Sequence, residues 1–325
     1  MFYLNLNKVM SYSPKISILI PIYNVERYLG KCLDSVFKQS YQNIEYVFVD
    51  DCSSDSSVDV LMQKIKEYEV DDNHYVLLKH QENMGIAYTR ANLVSMATGD
   101  YILFVDSDDW IESNMIELMV SASDNGTIDL IACDFFWEYS DGTTKVQHDN
   151  YANDCYENLL KSIDYTISPV LWRLLTKREL YDGLTIAREI NVGEDYIITI
   201  KLFFLSKSFR YISFPLYHYF QHSDVQRLTV QKSRCLNDHI KAVNEVERFL
   251  KNNGYLTSDV ENLLNRRKFN IKSNYLTKRY FDIEKFEKCF PEAKYSWRGM
   301  GYSFRECVKF WLAENKLYYI IKLLS

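Results

Sequence analysis

Short apolar runs alternate with stretches of helical periodicity through the first third of the chain, and that alternation leaves few folds open. Ile16-Ser-Ile-Leu-Ile20, Ile44-Glu-Tyr-Val-Phe-Val49, Tyr75-Val-Leu-Leu78 and Tyr101-Ile-Leu-Phe-Val105 have the length and the β-branched or aromatic content of buried strands. Between them Val25, Tyr28, Leu29, Cys32, Leu33, Val36 and Phe37 recur at helical spacing, and residues 58–68 and 85–97 also read as helices. Strands alternating with helices imply right-handed βαβ units, hence an α/β chain with a mostly parallel central sheet flanked by helices.

Polar chemistry collects at the ends of these strands. Pro21-Ile-Tyr23-Asn24 follows the first, Asp50-Asp51 the second and Asp106-Ser-Asp108-Asp109 the fourth, while Asn83-Met-Gly85 to Arg90 opens the helix before the fourth. In a parallel sheet the carboxyl ends share one edge, where open α/β sheets bind ligands. Crowded carboxylates stay ionised when a cation is near. An all-oxygen set suits Mg²⁺ or Mn²⁺ bridged to phosphates. Each residue also has a plainer reading. Asp50 and Asp55 suit turns and caps, Asp109 a helix N-cap or a support for its neighbours, and Tyr23 a core aromatic. Arg90 suits either a diphosphate contact or a surface helix, and Trp110 and Trp172 either sugar platforms or core.

Five segments in order carry a resemblance: Ile18-Leu-Ile-Pro-Ile-Tyr-Asn24, Val49-Asp-Asp-Cys-Ser-Ser-Asp55, Asn83-Met-Gly85, Thr98-Gly-Asp-Tyr-Ile-Leu-Phe-Val-Asp-Ser-Asp-Asp-Trp110 and Gly193-Glu-Asp195. Over roughly residues 16–225 the chain resembles an inverting family 2 glycosyltransferase of the GT-A fold, of the bacterial surface-polysaccharide type. The resemblance implies a Rossmann-like sheet and a metal-dependent transfer of sugar from a nucleotide-sugar, a UDP-sugar, to a hydroxyl of a glycan or lipid-linked acceptor. Capsule, exopolysaccharide and O-antigen assembly are the implied settings. Residue by residue, it places Tyr23 against the nucleobase, counts Pro21 among the nucleotide-binding residues and has Asp51 accept from uracil N3–H. Asp106 would reach the ribose or the metal, Asp108 would ligate Mn²⁺ or Mg²⁺, and Arg90 would serve the nucleotide. Asp195 becomes the general base, with Glu194, Trp172 and Trp110 on the acceptor side and His222 on the diphosphate side. Relatives carry a Tyr-x-Tyr-Arg-like segment after a proline such as Pro215, but here the text is Leu216-Tyr-His218-Tyr-Phe-Gln-His222-Ser223, with Phe220 where the arginine is expected.

The expected organisation is a lead-in over residues 1–15, a catalytic domain over 16–230 and a helical C-terminal extension over 231–325. The catalytic domain divides into a nucleotide-sugar half (16–130) and an acceptor half (131–230). Beyond residue 130 the sequence predicts strands over 130–136, 209–214 and 216–220, a hairpin-type turn in Tyr139-Ser-Asp-Gly-Thr-Thr144, and helices over 156–163 and 195–205. The net charge is −6, yet from Gln231 onward 19 Lys and Arg outnumber 11 Asp and Glu. With Trp311 and several aliphatics among Arg305, Lys309, Lys316 and Lys322, residues 304–324 read as either an interfacial helix on anionic lipid or a helix packed on the domain or a homodimer partner. Seven scattered cysteines with no Cys-x-x-Cys fit a reducing compartment. The N-terminus has no signal-peptide pattern and no apolar run is long enough to span a membrane. A cytoplasmic protein without a nucleic-acid partner is expected, peripheral at the inner face of the membrane only if residues 304–324 take the lipid-binding alternative. Competing readings are a catalytically inactive glycan-binding or scaffold protein and a sugar nucleotidyltransferase. The latter wants a glycine-rich basic loop after the first strand, where Pro21–Val25 has no glycine.

Overall fold

The computed structural model describes residues 12–222, 232–277, 280–294 and 296–324; residues 1–11 of the expected lead-in, and Ser223, lie outside the described residues. Four parallel strands form one half of the sheet. β1 (Ile16–Ile22) lies between β2 (Ile44–Asp50) and β4 (Tyr101–Phe104), and β3 (Tyr75–Lys79) extends it beyond β2. Successive side chains alternate between layers. Ile16, Ile18, Ile20 and Ile22 join one core, while Leu19 joins the other with Val47 and Val49. Helices α1 (Glu26–Phe37), α2 (Ser57–Glu67) and α4 (Met115–Ala122) cover the first layer through Leu33, Leu61 and Met119. Helices α3 (Ile86–Met96), α5 (Cys155–Ile163) and α6 (Glu194–Leu205) cover the second through Leu93, Leu159 and Ile200.

Beyond β4 the sheet becomes mixed. β8 (Leu174–Lys177) runs antiparallel to β4, β6 (Leu130–Tyr139) antiparallel to β8, and β9 (Phe209–Gln221) parallel to β6. β5 (Trp110–Ile111) pairs antiparallel with β9, and β7 (Thr144–Gln147) forms a hairpin on β6. The strand order is β3-β2-β1-β4-β8-β6-β9-β5. The two strands expected around Pro215 are one. Proline cannot donate to the ladder, and the β6–β9 register shifts around Asp134, its partner, so pairing resumes after the irregularity.

The C-terminal helices are α7 (Lys232–Asn252), α8 (Ser258–Ser273), α9 (Ile283–Lys288), α10 (Phe304–Glu314) and α11 (Tyr318–Leu324). Val243, Val246, Leu264, Phe269, Phe310 and Ile321 share one core with Phe104 and Phe203. The extension therefore packs on the second layer. Residues 304–324 form two helices, with Phe310, Leu312 and Ala313 turned inward and Phe304, Trp311 and Tyr319 exposed. Among the described residues no helix is long and apolar enough to cross a membrane.

Candidate active site

The carboxyl ends of β1, β2 and β4 meet the start of α6 around a cavity of about 660 Å³ lined by Pro21, Tyr23, Asp51, Arg90, Asp106, Asp108, Glu194, Asp195 and His222, among others. One wall is set by the sheet edge. Tyr23 is 42% exposed. It precedes Asn24, which holds a left-handed backbone (φ 49°) and accepts the Ser54 N–H. Asp51 is buried. Its Oδ1 faces His80 Nδ1 at 2.7 Å and accepts the Met84 N–H at 2.7 Å, and its Oδ2 accepts the Gly85 N–H at 2.8 Å. A carboxylate offers about four acceptor positions, so one remains for a ligand. Gly85 has φ 87°, and a Cβ there would come within 2.3 Å of Asn191, whose own Oδ1 accepts the Ala87 N–H. Only glycine fits that crossing.

The fourth strand end divides its acids by task. The Tyr217 hydroxyl accepts the Asp106 N–H and donates to Asp109 Oδ2, while Asp109 Oδ1 accepts the Phe220 N–H. Asp109 is thus a buried tie to β9, and burial with Asp108 and Asp106 nearby pushes its carboxyl well up. Asp108 faces the cavity, with Oδ2 2.9 Å from His222 Nε2, and the His222 ring stacks on Tyr28. As the sequence suggested, Asp55 is a capping residue, accepting from Glu26 and Ser57 N–H groups.

Arg90 joins this wall to the opposite one. Placed on the buried face of α3, its guanidinium lies 3.1 Å from Asp106, 3.4 Å from Glu194 and 3.3 Å from Asp195. It is a buried counter-ion, 3% exposed, shared by three acids, and it also lines the cavity where a nucleotide contact was expected. Burial opposes the arginine charge, and Asp195, Asp106 and Glu194 more than restore it. Burial also raises the carboxyls at the start of α6. Glu194 is pushed up to about 8 by burial and Asp195, against Arg90. Asp195 is raised by burial, opposed by Arg90 and the Leu171 N–H.

The two tryptophans expected at the acceptor do not form an open platform. Trp110 lies outside the cavity, because β5 lays its ring on His218 (5.1 Å) beneath Lys31. Trp172 reaches the cavity but is 4% exposed, stacked on Tyr217 and Tyr219. The structure adds His80, Asn191, Tyr165 and His239, none of which carries a sequence signal: each acts through a contact with a segment distant in the chain or not yet folded beside it.

The profile described as Glycosyl transferase family 2 matches residues 17–203. The chain belongs to this family. EpsH of Bacillus subtilis, a provisionally named glycosyltransferase, is 32% identical over 225 residues, which are 66% of this chain and 64% of EpsH. The chain thus spans less than two thirds of that relative. Among solved structures, S. aureus TarS 1–349 in complex with UDP-GlcNAc aligns with TM-score 0.58 and 16% identity over 89% of this chain and 93% of that one. The mannosyltransferase PcManGT of Pyrobaculum calidifontis, in complex with GDP-Man and Mn²⁺, aligns with TM-score 0.54 and 16% identity over 95% and 81%. These likenesses show a shared GT-A-like fold.

In this family 2 chain the donor set for a cation is incomplete by itself. Among the described residues no three His, Cys, Asp or Glu side chains are grouped to hold a metal ion. Mg²⁺ on a nucleotide ordinarily takes one or two carboxylates, with phosphates and water completing the shell. Asp106 and Asp108, two carboxylates facing one cavity, fit such a partial set.

Proposed function

We propose that this family 2 protein is a metal-dependent inverting glycosyltransferase that moves a sugar from a UDP-sugar to a hydroxyl of a glycan or lipid-linked acceptor in bacterial surface-polysaccharide assembly. One observation carries the reading: Asp106 and Asp108 on one wall and Asp195 on the other border a single cavity, with Arg90 between them. Tyr23 offers an exposed ring to the base, and Asp51 keeps an acceptor position for uracil N3–H. Asp106 and Asp108 would hold Mn²⁺ or Mg²⁺, which as a Lewis acid stabilises charge on the departing diphosphate. His222 borders the same side. Asp195 takes the proton of the acceptor hydroxyl while that hydroxyl oxygen bonds to the anomeric carbon. The bond to the diphosphate breaks with its electron pair on the diphosphate oxygen. Attack from the face opposite the leaving group inverts the centre. A carboxyl raised by burial is a better base near neutrality, and Arg90 favours its ionised form.

The nucleotide reading draws on TarS, solved with UDP-GlcNAc, and the metal on PcManGT, solved with Mn²⁺. On α10 and α11, exposed Phe304, Trp311 and Tyr319 beside Arg305 support peripheral contact with an anionic inner membrane face, tested by liposome flotation at low salt. The deciding experiment for the activity is a panel of nucleotide-sugars with Mn²⁺, scored for slow nucleotide release. Release of UDP from one donor, lost in Asp108→Ala, is expected. Release from GDP-mannose alone would keep the class and overturn the nucleotide. Silence across the whole panel would sink the activity.

A further inference from the structure

The helical extension reaches the cavity. His239 of α7 lines it, and its Nδ1 lies 3.4 Å from where a Cβ of Gly193 would sit, beside the Glu194-Asp195 pair. Its neighbour Asp238 accepts the Asn191 N–H at 3.3 Å. Arg267 of α8 places its guanidinium 3.9 Å from the ring centre of Tyr165. Tyr165 lines the cavity, is 39% exposed, stacks on Tyr196 at 5.3 Å and holds a left-handed backbone at φ 64°. A bulky residue keeps that conformation only where its surroundings over-determine it. Asp195 lies within electrostatic reach of the Tyr165 hydroxyl, and the Leu171 N–H from the segment after Tyr165 bonds the Asp195 carboxylate.

We propose that α7 and α8 build the acceptor end of the cavity, where Tyr165 and His239 bind an uncharged sugar ring beside Asp195. This rests on the glycosyltransferase reading and names its acceptor class. Arg267 is a positioning residue, acting through Tyr165. Three features select an uncharged ring. Tyr165, Trp137 and Tyr219 line the cavity and offer aromatic surface to the apolar face of a sugar. His239 is held neutral at physiological pH, because burial and Arg267 push its pKa down to about 4, so its imidazole can donate and accept with a hydroxyl. The acidic and basic groups lining the cavity among the described residues are Asp51, Asp106, Asp108, Glu194 and Asp195 against Arg90, which Asp106, Glu194 and Asp195 already engage. A polyanionic acceptor would meet net repulsion.

The test is saturation-transfer NMR on the full-length protein loaded with UDP, using methyl β-glycosides of glucose, galactose and N-acetylglucosamine, with poly(ribitol phosphate) as the anionic probe. Saturation is expected to reach at least one methyl glycoside. It should fall about tenfold in Tyr165→Ala and in His239→Leu, and largely return in Tyr165→Phe and His239→Gln. UDP affinity by calorimetry should stay within about twofold in all four, which separates this site from a general loss of structure. No transfer to any methyl glycoside, preference for poly(ribitol phosphate), unchanged signal in both truncated variants, or parallel loss of UDP binding would each overturn the proposal. The readout needs no turnover, so it fails separately from the activity assay.

Discussion

The two walls of the cavity are built on different principles. The wall proposed to hold the donor is local. Pro21, Tyr23, Asp51, Asp106 and Asp108 sit at or just past the ends of parallel strands, and one sheet register brings them together. The wall proposed to face the acceptor is assembled from afar. Asp195 lies in the first turn of a helix whose preceding turn is tied to Ala87 through Asn191 and to α7 through Asp238, and whose own acids are tied to α3 through Arg90. A wall made by strand ends should tolerate loss of a ligand group without losing the fold. A wall made by long-range polar ties should not.

The largest expected effect is chemical. Asp195→Asn removes the proton acceptor while keeping the shape, and should lower kcat by about 10²–10⁴ with UDP affinity unchanged. Near-normal turnover would move the base elsewhere. Arg90→Met sharpens the comparison on stability. It strands Asp106, Glu194 and Asp195 without their shared cation, and breaking a buried ion cluster costs about 3–5 kcal/mol. The loss, read from urea unfolding, should be partly recovered in the double variant with Glu194→Gln. An equal loss from Asp108→Ala would erase the distinction between the walls.

A smaller effect comes from pH. His239 has its pKa lowered to about 4, below the value near 6.5 of an unfolded histidine. Above pH 6.5 the group is neutral in both states and adds no slope. As pH falls from 6.5 toward 4 the unfolded chain takes up a proton that the fold refuses, so stability is lost, by up to about 1.4 kcal/mol per pH unit. His239→Gln should lack this component. Overlapping wild-type and variant curves between those limits would show that His239 is solvated.

The same contrast explains what could be read from the chain. Short apolar runs at residues 16–20, 44–49 and 101–105 marked the parallel half of the sheet, because strands buried on both faces need apolar side chains on both. β8 and β5, four and two residues long, are made strands by pairing with β4 and β9 rather than by their own composition. Acids at strand ends were visible as a group because topology alone makes them neighbours. Arg90 looked like either a surface residue or a phosphate ligand, since its burial depends on α6 arriving some 100 residues later. His239 and Tyr165 were invisible for the same reason.

The finest prediction concerns Asp51, where the local wall itself has two jobs. Its carboxylate already receives the N–H groups of Met84 and Gly85 and faces His80, which in turn sits 2.8 Å from Asn92. Asp51→Asn keeps one acceptor oxygen and turns the other into a donor facing a backbone N–H or an imidazole. Loss of one charge-assisted hydrogen bond to uracil costs about 1.5–3 kcal/mol, so UDP should bind at least about tenfold more weakly. If Asp51 reads the base directly, His80→Gln, which leaves the carboxylate intact, should weaken UDP far less than Asp51→Asn. If Asp51 serves only to hold the Asn83–Gly85 turn, the two substitutions should instead lower stability together and leave the ratio of UDP to CDP affinity unchanged, because nothing at N3 would then be recognised.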